Sequence, residues 1–133
     1  MQRNHKGNVL VVDNDDRILW AFREHLENAG FNTEVTWSGH EALALLGSGK
    51  FDILLVDDYL PDIHSHDFLK RVGRLSNQPA IVVMHSAEPK PADVQSYASL
   101  DVAELVDKRD PAKVCRAVSS CIAEHKQPGR GVN

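Results

Sequence analysis

Three apolar runs constrain this chain more than any other feature of its sequence. Residues 9–12, 53–56 and 80–84 are continuously hydrophobic, without alternation, and each stops at polar residues. A strand with one wet face alternates, so continuous runs belong to strands covered on both faces, as in a parallel sheet flanked by helices. Residues 102–106 supply a further run. Residues 31–37, with β-branched Thr33, Val35 and Thr36, supply a weaker fifth.

The intervening stretches carry the helical period. Ile18, Phe22, His25 and Leu26 fall on one side of a helix predicted over about 16–28, with Gly30 as its stop. Residues 41–46 form a shorter helix closed by Gly47, Ser48 and Gly49. Phe68, Leu69, Val72 and Leu75 fit a third, and Ala92, Val94, Tyr97 and Ala98 a weaker fourth. The last has Pro111 near its first turn, with Val114, Val118, Cys121 and Ile122 along one stripe. Strand and helix alternate about five times, which implies a doubly wound α/β sheet.

The organisation is one domain over residues 8–124. Residues 1–7 are expected to be a disordered extension and 125–133 a tail, being polar or Gly/Pro-punctuated. Fifteen Lys and Arg against nineteen Asp and Glu give a net charge of −4, which argues against a nucleic-acid-coating or polybasic membrane-bound protein. No run approaches the ~20 apolar residues that span a bilayer, and the first residues lack a secretory signal. Cys115 and Cys121 read as small core hydrophobes of a reducing compartment, so a cytoplasmic location is expected.

In an open parallel sheet, ligands bind beyond the carboxyl ends of the strands. The first run ends in Asp13, Asn14, Asp15 and Asp16, and the second in Asp57 and Asp58. The third ends in Met84, His85 and Ser86, and the last in Asp107, Lys108 and Arg109. Asp13, Asp57 and Lys108 are therefore expected to converge on one rim. Crowded carboxylates repel unless a cation sits among them, and Mg²⁺ suits few carboxylates plus a phosphate. Asp16 and Asp58 read instead as a helix start and a residue turned away from Asp57 by strand alternation.

These stretches resemble the receiver domain of two-component response regulators, over about residues 8–124. The resemblance is carried by residues 9–15, by 51–61 with Asp57 closing an apolar strand ahead of Leu60 and Pro61, by 78–83, and by 105–108. The segment from Trp37 to Leu43 is also similar to the family's entry into its second helix. It implies a flavodoxin-like five-stranded parallel sheet of order 2-1-3-4-5, and a bacterial phosphorelay protein. Asp57 would accept a phosphoryl group from a histidine kinase or histidine phosphotransfer protein. Mg²⁺, weakly bound, would be held by Asp57, Asp13, Asn14 and the carbonyl of Tyr59. Lys108, with His85, would contact the phosphoryl oxygens.

The chain departs from the family pattern at several positions. Asn14 stands where a second carboxylate is usual, and Arg109 where a proline usually follows the lysine. His64 and Ser65 replace the usual Asp-Gly. The switch hydroxyl maps to Met84, with Ser86 as a possible substitute, and the switch aromatic maps to Leu105. Signalling through the usual relay is therefore expected to be lost. If the chain is complete, output is expected to run by contact with a downstream protein or by homodimerisation. Leu19 and Trp20 offer a docking patch. His64, His66 and His85, drawn to the same edge, read as solvated side chains in preference to a transition-metal cluster with Asp57. An alternative is a degenerate receiver acting as a phosphorylation-independent adaptor or dimerisation module. Asp13, Asn14 and Asp15 also resemble the start of haloacid-dehalogenase-like phosphatases, but the order of the later motifs disagrees, so a non-enzymatic regulator is expected.

Overall fold

The computed structural model describes residues 6–125. The elements alternate as β1 (Asn8–Val12), α1 (Asp16–Asn28), β2 (Asn32–Thr36), α2 (Gly39–Leu46) and β3 (Ile53–Asp57). Then follow α3 (Ser65–Val72), β4 (Ala80–His85), α4 (Pro91–Ser99), β5 (Val102–Asp107) and α5 (Pro111–His125). All strand pairs are parallel, in the order β2-β1-β3-β4-β5. The doubly wound sheet and its strand order are those expected, with the reversal of strand order lying between β1 and β3.

Alternation along the strands divides the apolar residues between two cores. Val9, Val11, Ile53, Leu55, Val82 and Met84 face Leu19, Phe22 and Leu26 of α1 and Val114, Val118 and Ile122 of α5. Leu10, Val12, Leu54, Val56, Ile81 and Val83 face α2, α3 and α4 through Ala42, Leu46, Phe68, Leu69, Val72 and Tyr97. Both faces are thus dry, which is why the central runs do not alternate. Edge strands β2 and β5 are less apolar and half exposed, in keeping with one uncovered flank.

Two sequence-level expectations for α1 change. Leu19, Phe22 and Leu26 form its buried stripe, with Ile18 only half-buried against the core, and His25 is exposed. Asp15 is the N-cap, accepting from the Arg17 amide at 2.9 Å, while Asp16 opens the first turn. Gly30 stops the helix at φ +102°, and Phe31 N–H closes back on the Leu26 carbonyl at 3.0 Å.

The remaining helices differ in detail. α3 ends at Val72, leaving Leu75 half-buried in the following loop. In α4 only Tyr97 is buried, and Val94 is 43% exposed. Cys115 and Cys121 are free thiols on α5, and burial pushes Cys121 up to about 11. At the start of the chain, Lys6 N–H donates to Gly30 and the Gly7 carbonyl accepts from Asn32. These two residues, assigned by sequence to a disordered extension, are therefore tied to the edge of the sheet. The rest of that extension, and the tail beyond 125, lie outside the described residues. No helix among the described residues is long and apolar enough to cross a membrane.

Candidate functional site

Each strand that feeds the rim ends its α1/α5-facing row in a polar residue. Val9 and Val11 lead to Asp13, Ile53 and Leu55 to Asp57, Val82 and Met84 to Ser86, and Val106 to Lys108. Side chains repeat with a period of two along a strand, so each polar residue inherits the direction of the apolar residue two before it. The opposite row runs from Val12 to Asn14, Val56 to Asp58, Val83 to His85 and Leu105 to Asp107.

Asp13, Asp57 and Lys108 meet as expected. Lys108 Nζ donates to Asp57 Oδ1 at 2.8 Å and to Asp13 Oδ2 at 2.9 Å, with both carboxylates buried. The β5 end is held in place because Lys108 N–H donates to the His85 carbonyl at 2.9 Å, and the β3 end because Asp58 N–H donates to Met84 at 2.8 Å. Asp13 Oδ1 also accepts from the Asp15 amide at 2.9 Å. Burial pushes the Asp57 carboxyl above its ordinary value; Asp13 and Asp58 add to this, and Lys108 opposes it. Burial alone would lower Lys108, but its bonds to Asp13 and Asp57 outweigh that and raise it. The result is a carboxylate held dry beside an ammonium, with one more negative charge than positive among the three.

The structure corrects three other assignments. Met84, the register partner of Asp57, is a fully buried core residue. Ser86, the substitute hydroxyl, is exposed in the bend just past β4. The His85 ring belongs to the opposite row from Asp57 and Lys108, half-buried with Nδ1 lacking a hydrogen-bond partner among the described residues. Leu19 is 3% exposed and belongs chiefly to the core under α1, so the exposed part of the expected patch is Trp20, at 64%.

Other residues fall as follows. Asn14 is exposed beside Asp13, and Tyr59 is 63% exposed in the loop after Asp57. Leu105 is half-buried against the α2–α4 core. Arg109 folds back onto Asp107, Nη2 to Oδ2 at 2.6 Å. Asp58 lies on the opposite row from Asp57, and burial raises its carboxyl. His64 and His66 have ring centroids 5.3 Å apart, and His66 stacks on Tyr97 at 5.2 Å and 15°. Among the described residues no three His, Cys, Asp or Glu side chains gather into a metal cage. Asp13 and Asp57 offer hard carboxylate oxygens, a donor type that suits Mg²⁺ with retained waters and not a softer metal.

One structural clamp next to the rim escaped the sequence. Asp62, in the loop between β3 and α3, accepts from the amides of Gly39 and His40 at 3.0 Å each and from Ser38 Oγ at 2.9 Å. It thereby caps α2 from across the chain and pins the loop that carries Tyr59. Gly39 is required there, since a Cβ would lie 2.3 Å from Ile63 Cγ2. Desolvation works against the Asp62 charge, but the two amides and the hydroxyl outweigh it and hold the carboxyl down at about 2.

Known proteins share this architecture. A CheY-like response regulator receiver domain from Methanospirillum hungatei superposes with a TM-score of 0.83 at 20% identity, covering 90% of this chain and 96% of its own. Chemotaxis response regulator CheY4 of Vibrio cholerae gives 0.79 at 24% identity, with coverage of 86% and 98%. By sequence, the DNA-binding transcriptional regulator NtrC of Salmonella typhimurium is 30% identical over 92 residues, 69% of this chain and 20% of that protein. The probable transcriptional regulator ycf29 of Porphyra purpurea is 30% identical over 77 residues, 58% of this chain and 37% of that one. The chain thus spans well under half the length of these two relatives. The model of the response regulator receiver domain matches residues 9–119, most of the sheet and its helices, and the chain belongs to that family.

Proposed function

We propose that this receiver domain is a phosphoacceptor in two-component signalling, with Asp57 as the accepting residue. The observation that carries this reading is the 2.8 Å contact between Asp57 Oδ1 and Lys108 Nζ, with the same ammonium 2.9 Å from Asp13. In the transfer, an Asp57 carboxylate oxygen forms a bond to phosphorus as the bond from phosphorus to the donor's imidazole nitrogen breaks. The freed imidazole then takes up a proton. Little covalent rearrangement is needed beyond in-line displacement, so position and charge supply the acceleration. Lys108 is placed to follow the charge from the carboxylate to the phosphoryl oxygens, and Ser86 is the hydroxyl available to donate beside it.

Asp13, Asp57, the Asn14 carboxamide and the Tyr59 carbonyl would hold Mg²⁺, whose contribution is neutralisation of the incoming phosphoryl charge. Binding is weak because Asn14 brings an oxygen without a charge. The donor is a histidine kinase or histidine phosphotransfer protein, and the signal passes onward by contact with a protein partner or a second copy. Asp15 is committed to capping α1, which disfavours a dehalogenase-like site that would need it as an acid.

The exposed, uncharged Asn14 and the aliphatic Leu105 favour a second reading, a phosphorylation-independent adaptor or dimerisation module. Intact-mass measurement after incubation with acetyl phosphate and Mg²⁺ separates the two. The phosphoacceptor gains one phosphoryl group that Asp57→Asn abolishes. No adduct at saturating donor and metal leaves the adaptor.

A further inference from the structure

A groove of about 360 Å³ lies on the other side of α1 from the α5 contact, between α1, β2 and the start of α2. Leu19 and Val35 line it together with Trp20 and Trp37, which are 64% and 59% exposed. The remaining lining is Thr36 and two carboxylates, Asp16 and Glu41. No cation lines it. The arginines of α1 are engaged with its own acids, Arg17 with Asp15 at 3.5 Å and Arg23 with Glu27 at 3.5 Å. Each lining carboxylate has a neutral donor: the Trp37 indole N–H on Asp16 and the Thr36 hydroxyl on Glu41. Neither bond cancels a charge.

Large exposed aromatics beside uncompensated acids make a specific chemical surface. Indole faces attract cations, carboxylates add directed charge-assisted hydrogen bonds, and an aliphatic floor accepts a side-chain stem. The fold already uses one of these rings in that way: the Arg23 guanidinium stands 5.6 Å from the Trp20 ring centroid. We propose that this groove binds an arginine-bearing segment of a partner protein. The guanidinium head sits at Asp16 and Glu41, and the stem lies along Leu19 and Val35 between the indoles. Arginine suits it better than lysine because its planar head stacks on indole, is weakly hydrated and pairs with two acceptors at once. The inference is independent of whether Asp57 is phosphorylated.

The chain has two tryptophans in all, and both stand at this groove, so its intrinsic fluorescence reports binding there. The probe is a capped hexapeptide with three arginines, titrated against the whole chain. The controls are the same peptide with lysine, and with citrulline, which keeps the shape and removes the charge. The expected result is a saturable fluorescence change with the arginine peptide, weaker with lysine and at least about fivefold weaker with citrulline. Asp16→Asn with Glu41→Gln weakens arginine binding by a similar factor. So do Trp20→Ala and Trp37→Ala, followed by calorimetry, with unchanged thermal unfolding as the check on folding.

Three results overturn the proposal. Equal binding of the citrulline peptide makes the groove merely apolar. Arginine binding unaffected by all four substitutions places it elsewhere on the acidic surface. Concentration-dependent dimerisation in sedimentation that Trp20→Ala abolishes, with no peptide binding, makes the occupant a second copy of the chain.

Discussion

Lys108 leaves the end of β5 and reaches over β4 and β3 to donate to Asp13, at the end of β1, at 2.9 Å. On the way it donates to Asp57 at 2.8 Å. One ammonium therefore ties together the ends of three strands and, among the described residues, is the single cation between two buried carboxylates. Removing it by Lys108→Ala leaves those carboxylates facing each other, and breaking a buried pair of this kind costs about 3 kcal/mol. Asp57, already raised by burial, loses the ammonium that opposes the rise and holds its proton more tightly in the native state than in the unfolded chain. The variant is expected to regain stability as pH falls from 7 to 5. Urea unfolding at the two pH values measures this, and a loss below about 1 kcal/mol that is independent of pH would contradict it.

Asp57 itself works against the fold. Its carboxyl is raised above the ordinary 3.8 by burial, with Asp13 and Asp58 adding and Lys108 opposing. A raised acid binds its proton better in the folded state, so its favourable contribution is complete below about 3.8 and fades as pH rises through the folded value. Asp57→Asn keeps an oxygen for Lys108 and removes the ionisation. At neutral pH the variant is expected to be at least as stable as the parent, the two converging near pH 4. Paired thermal melts over that range would refute this if the variant were the less stable at pH 7.

The sheet was legible because its central strands are short apolar runs, and strand ends name a rim without any side-chain coordinates. Asp13, Asp57 and Lys108 followed from that rule alone. Register was the weak point. The resemblance to the family puts the switch hydroxyl at Met84, with Ser86 as a substitute, and Met84 is a fully buried core residue. In the structure the row extends one alternation further, to Ser86 past the last β4 residue. His85 reaches the site only through the resemblance to the family; it follows Met84 by one residue, and a shift of one residue moves a strand side chain to the other face. Leu19 and His25 exchanged places for a similar reason: a 3.6-residue period leaves adjacent stripes hard to separate over thirteen residues. Asp62 had no local signal, because its partners lie 22 to 24 residues away.

The carboxamide of Asn14 fixes how the proposed metal site responds to charge. Asn14 is exposed next to buried Asp13, on the opposite row, so a carboxylate there meets solvent and costs little to ionise. Asn14→Asp is expected to tighten Mg²⁺ binding about tenfold, the weight of one added charge in a partly screened site. Calorimetric titration of both proteins with Mg²⁺ checks it. Equal affinities would mean that this position does not reach the ion.

Asp62 sets the acid limit of the loop after β3. Its folded carboxyl lies at about 2, below the usual 3.8, so its contribution is complete above about 4 and is lost as pH falls toward 2. That depression is worth about 2.5 kcal/mol if taken at face value. The side chain is exposed, however, and screening by water reduces the expected effect to about 1 kcal/mol, the size of an ordinary helix cap. Asp62→Ala should destabilise the protein by that amount at pH 7, with the difference from the parent shrinking as pH drops from 4 to 2. The loop carrying Tyr59 would be released from α2 at the same time. Amide hydrogen exchange at Gly39 and His40, whose N–H groups the carboxylate accepts, should accelerate several-fold while the β1 and β3 amides stay protected. Faster exchange throughout the sheet would show instead that the substitution weakens the whole fold and that Asp62 is no local clamp.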